Sequence, residues 1–164
     1  MKNEDLINIA HLISVGIITP NDYIPWCDKL ILSEESPSEL VMDLSIIREP
    51  KKASERLLAE AYKNFSEQYT VPVNSGHEEV CSIFLSYKMS SISWEQFLSK
   101  AIEITELKGS GWTVNDYQRF LNAYLENGKP KPIELAQSKY TEEAFAEDLA
   151  SLKSYLEMFE IAAR

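Results

Sequence analysis

The sequence predicts an all-α fold: a single compact irregular bundle of seven or eight helices, with residues 1–164 as one domain. Three observations carry that reading. Apolar residues recur at three- and four-residue spacing along most of the chain, and helix start and stop signals punctuate these runs. Only 5 glycines occur among 164 residues, too few for the many tight turns of a sandwich or barrel. A chain of this length buries a core without help from metals or disulfides.

The elements follow in order. Asn3 can cap a first helix in which Leu6, Ile9, Ala10 and Ile13 share a face, and Gly16 sits where a left-handed residue ends it. Thr19-Pro20 then reads as a start, but Pro25 would fall inside that helix. A cap at Asp22, or a kink at Pro25, resolves the conflict. Trp26, Leu30 and Ile31 are its expected buried face. Ser36 with Glu39 three residues on makes a capping box for the next helix, which carries Leu40, Val41, Leu44 and Ile47.

After Pro50 the run KKASERLLAEAYKNFSEQY places Leu57, Leu58, Ala61, Tyr62, Phe65 and Tyr69 on one face, and VPVNSG closes it as a loop. The one candidate strand, YTVPV at residues 69–73, is weakened by its proline. Val80, Phe84 and Tyr87 mark a further helix. Ser93 and Gln96 cap another, with Phe97, Leu98, Ala101 and Ile102 inward, and Gly109-Ser110-Gly111 stops it. Thr113 with Asp116 opens a helix through Tyr117, Phe120, Leu121, Tyr124 and Leu125 that ends at Asn127-Gly128. KPKPIELAQSKY reads as a connector, and Thr141 as the cap of a last helix carrying Phe145, Leu149, Leu152, Leu156 and Phe159. No fixed period with shared key residues appears, so a true solenoid is not supported.

Charge narrows the partners. With 16 basic against 26 acidic residues the net charge is -10. Phosphate binding needs clustered Lys and Arg, so no direct contact with nucleic acid is expected. The acidity is uneven: residues 1–50 carry three basic side chains against nine acidic, and residues 134–164 three against seven. Cys27 and Cys81 form no C-x-x-C pair and read as reduced, buried thiols, which points to the cytoplasm. The N-terminal apolar run, broken by Asn8, His11 and Ser14, does not suit a signal peptide, and no stretch has the length of a membrane span, so no membrane partner is expected.

Catalytic and metal constellations are missing from the sequence. His77-Glu78-Glu79 opens like H-E-x-x-H, but residue 81 is Cys and the next ligand is lacking, so a charge pair at a helix start is the expected role and no metal site is predicted. His11 has no paired nucleophile. Glu142, Glu143, Glu147 and Asp148 have helical spacing but no histidine to complete a metal set; Glu142 and Glu143 suit the positive end of a helix. Gly109-Ser110-Gly111 lacks the lysine of a phosphate loop. Trp94, Trp112, Tyr117, Phe120 and Tyr124 read as core. The chain is therefore expected to be no enzyme, with no catalytic residues and no cofactor.

The segment from Gly16-Ile17-Ile18-Thr19-Pro20 to Trp26-Cys27-Asp28-Lys29-Leu30-Ile31, followed by Pro37-x-x-Leu40 and Asp43-Leu44-Ser45, resembles the N-terminal half of small helical bacterial immunity proteins. Such proteins are encoded beside polymorphic toxins, including those of contact-dependent growth inhibition systems, and each neutralises its cognate toxin. The resemblance covers the first third of the chain, and Pro25 departs from it. It implies binding to a toxin domain, with a basic nuclease as the expected type and occlusion of its active site as the mode. The alternative is a helical adaptor or regulatory module with an acidic face. The most acidic window free of Lys and Arg supplies the expected binding residues, Glu34, Glu35, Glu39 and Asp43.

Overall fold

The computed structural model describes residues 1–63 and 76–161. Nine α-helices and no strand lie among the described residues: α1 (Asn3–Ser14), α2 (Pro20–Ser33), α3 (Glu39–Ile46), α4 (Pro50–Lys63), α5 (His77–Lys88), α6 (Trp94–Lys108), α7 (Val114–Glu126), α8 (Lys131–Ala144) and α9 (Ala146–Met158). Phe65, Tyr69, the segment YTVPV and most of VPVNSG fall outside the described residues. None of the described helices is long and apolar enough to cross a membrane.

The count of nine corrects the seven or eight expected, and the extra helix is the presumed connector, α8. Its prolines do not break it because Pro130 is the N-cap and Pro132 lies in the opening positions, where a missing N–H costs nothing. Thr141 is no cap either. It lies inside α8, where its hydroxyl donates to the Gln137 carbonyl at 2.9 Å. Glu142 and Glu143 accordingly close α8 rather than open a helix, and pair with Lys88 and Lys139.

The chain's contacts gather in two compact units, one formed by the described parts of Met1–Thr70 and Leu152–Arg164, the other by those of Val71–Ser151. In the first unit α1 packs along α4, where Ala53 and Ala61 let the helices approach and Leu6, Ile9, Leu12, Ile13 and Leu57 fill the core. Gly16, at φ 78°, ends α1 with Ile17 N–H bonding back to the Leu12 carbonyl at 3.0 Å, a Schellman closure. Thr19, not Asp22, caps α2: the Asp22 carboxylate accepts from the Thr19 N–H at 2.8 Å, closing a capping box. Pro25 does fall inside α2, with its ring exposed.

The core face of α2 is Tyr23, Ile24 and Cys27, while Trp26, Leu30 and Ile31 are only half-buried. At 100° per residue Trp26 falls at the margin of that face. It rests on Phe159, centroids 4.9 Å apart. α3 starts later than expected. Its cap is Ser38, whose hydroxyl accepts from Val41 N–H at 3.3 Å.

The second unit is built on aromatic rings. Phe84, in the stretch of α5 that is buried from Val80 to Ser86, meets Phe97 and Phe145 edge-on at 5.2 and 6.0 Å, and Trp94 and Tyr117 are fully buried beside them. Trp112 and Phe120, expected in the core, are half-buried. Ser93–Gln96 and Thr113–Asp116 form their capping boxes as the spacing predicts.

Candidate functional site

The predicted acidic residues follow one another through the turn from α2 into α3. Glu34 is the C-cap of α2, Glu35 lies in the turn, and Glu39 is the first residue of α3; all three are exposed, with no ion-pair partner among the described residues. Asp43 differs. Its carboxylate takes Arg56 Nε at 2.7 Å, and Arg56 Nη1 reaches Glu60 at 2.8 Å, so Asp43 serves as an internal tie between α3 and α4. The Glu60 and Asp43 carboxylates hold the Arg56 guanidinium charged, raising its pKa above the ordinary value.

The sequence reading missed the apolar neighbours of these carboxylates. Leu32 at the end of α2 is 88% exposed, and on α3 Met42 is 46% and Ile46 75% exposed. Glu39, Met42, Asp43 and Ile46 recur at three- and four-residue spacing and share one face of α3, opposite the buried Val41 and Leu44. A signal was present. Five of the eight residues of ELVMDLSI are large and apolar, more than one inward stripe can bury. Exposed Leu32 near the end of α2 and exposed Met42 and Ile46 on α3 thus lie on the two helices that flank a turn carrying Glu34, Glu35 and Glu39.

In the second unit three donors meet that sequence spacing alone did not join. His77 and Cys81 lie one turn apart at the start of α5, and Asp148 comes from the first turn of α9, 71 residues from His77. His77 Nε2 is 3.1 Å from Asp148 Oδ2 and 3.8 Å from Cys81 Sγ. Cys81 is fully buried, and burial, with the Asp148 and Glu78 charges behind it, pushes its thiol well above the ordinary range. Both hydrogen-bonding partners face the same ring nitrogen, so His77 cannot relay a proton from Cys81 to Asp148, and a buried protonated thiol is no nucleophile.

Two open clefts complete the second unit. One, of about 510 Å³, is lined by Trp112, Arg119, Phe120 and Tyr140. The other, of about 540 Å³, has Glu134 in its wall, where Tyr87 and Tyr124 hydroxyls donate to the carboxylate at 2.9 and 3.4 Å and Lys131 pairs with it. No family model, curated protein or solved structure matches the chain.

Proposed function

We propose that this chain is an immunity protein that binds and neutralises a basic bacterial toxin domain, of the nuclease type, through the turn from α2 into α3. The observation that carries the reading is the exposure of Leu32, Met42 and Ile46 on the two helices that flank the turn carrying Glu34, Glu35 and Glu39. Large apolar side chains in water are the anchors an interface buries at its centre, and free carboxylates around them are the rim that steers a cationic surface into register. A cleft built to bind phosphate presents such a surface. The net charge of -10 extends the attraction beyond the contact itself. The resemblance of residues 16–45 to immunity proteins includes this turn and names the kind of basic partner.

The test is protection. A bacterial host expressing the toxin domain encoded beside this chain's gene should grow when the chain is co-expressed, and the two proteins should co-purify. Failure to protect, with no complex formed, overturns the reading. A basic partner bound without protection favours the adaptor class instead.

A further inference from the structure

We propose that His77, Cys81 and Asp148 form a site for one borderline divalent cation of the Zn²⁺ class. The argument is geometric. A tetrahedral ion with bonds of about 2.0–2.3 Å sets its ligand atoms roughly 3.3–3.7 Å apart. Here Nε2 lies 3.1 Å from Asp148 Oδ2 and 3.8 Å from Cys81 Sγ, and all three donor atoms fall within 4.8 Å of one another. The helix supplies two of them by its pitch, since residues four apart share a face. Nitrogen, sulfur and oxygen donors together suit Zn²⁺ and Co²⁺ better than the oxygen-seeking Mg²⁺ or Ca²⁺.

Access and support are both built in. The thiol is the buried floor, while the His77 and Asp148 side chains are 23% and 42% exposed, which leaves an entry from solvent and a fourth position for water. Asp148 has no Lys or Arg partner among the described residues. The imidazole is held in place by Phe145, edge-on at 5.4 Å; the Gly111 N–H, which donates to Nδ1 at 3.3 Å, orients it only while the site is empty. A side chain at Gly111 would crowd the ring, its Cβ falling 3.0 Å from the imidazole.

With Nδ1 accepting, Nε2 carries the ring proton and donates it to Asp148. A cation takes the place of that proton. The ring's proton passes to Nδ1, the thiol proton leaves to solvent, and the N–H of the exposed Gly111 turns from the ring to water.

The test uses the full chain, stripped with a chelator and titrated with Co²⁺. One equivalent should produce a thiolate-to-cobalt charge-transfer band with tetrahedral visible absorption, and Zn²⁺ should displace it. Cys81→Ser should abolish the band and Cys27→Ser should retain it. Asp148→Asn, at a half-exposed position that leaves helicity intact, should weaken Zn²⁺ binding at least about tenfold. The proposal is overturned by a stoichiometric titration without a thiolate band, by a band that survives Cys81→Ser, or by unchanged Zn²⁺ affinity in Asp148→Asn. The last outcome decides the matter even if Cys81→Ser fails to fold.

Discussion

Replacing Glu134 with Gln removes a charge from the wall of the second unit's core while keeping the side chain's size. Glu134 is 9% exposed and accepts from Tyr87 at 2.9 Å and Tyr124 at 3.4 Å, with Lys131 beside it. Burial alone would push this carboxyl up, but the donors outweigh it and hold the pKa below its ordinary 4.5. Hydrogen bonds to a charged group contribute about 1.5–3 kcal/mol against 0.5–1.5 for neutral pairs, so loss of charge at two such bonds costs about 2 kcal/mol. Lys131 is the foremost group holding this carboxylate charged, but because its ammonium is exposed, solvent screening discounts its share of the stability.

The pH dependence has a fixed sign. A carboxyl whose folded pKa is depressed contributes stability that is full above its unfolded value and is lost as pH falls through the folded one. Urea denaturation followed by circular dichroism should therefore show Glu134→Gln less stable by about 2 kcal/mol near about pH 7. The gap should close toward about pH 3 as the wild-type carboxylate protonates. A gap that stays constant on acidification, or a variant as stable as wild type at neutral pH, refutes the network as described.

Trp26→Ala should destabilise by about 2–3 kcal/mol, at or below the lower end of aromatic deletions, because Trp26 is half-buried and rests on Phe159; a denaturation midpoint equal to wild type would show that this contact contributes nothing. Cys27 is fully buried, and burial followed by the neighbouring Asp28 charge pushes its thiol up to about 12. Cys81 is raised for the same first reason. Neither thiol of the native, metal-free chain should react quickly with a disulfide reagent at neutral pH, whereas both should react at once in denaturant; rapid labelling of the native chain would contradict the packing around them.

The helical class was legible because apolar periodicity and paired capping residues are local signals. Ser93–Gln96, Thr113–Asp116 and the stops at Gly16 and Gly128 stand where their side chains or backbone conformation require them. Prolines misled the reading, since Pro25 and Pro132 are tolerated for opposite reasons: one at an exposed position inside a helix held by neighbours, the other in an opening turn. The Ser36–Glu39 spacing points to a cap two residues too early, because the Ser38 hydroxyl takes the Val41 N–H instead. Partnerships distant in sequence stayed hidden. Nothing near Asp43 announces Arg56, and nothing near Cys81 announces Asp148. Of the acidic window, the charges were readable, but the exposed Leu32, Met42 and Ile46 needed the packing of α3 to be known.

The central claim is that the turn from α2 into α3 steers and holds a cationic partner, and binding kinetics test it most directly. Wild type and the triple variant Glu34→Lys, Glu35→Lys, Glu39→Lys, all at exposed positions without an ion-pair partner among the described residues, are compared against the basic toxin domain proposed as the partner, at low and high salt. Asp43 is left in place to preserve its tie to Arg56. The variant should retain wild-type helicity, associate on the order of tenfold or more slowly at low salt, and lose most of the salt dependence of its association rate. An association rate and salt dependence equal to wild type would contradict the claim and move the interface away from this turn.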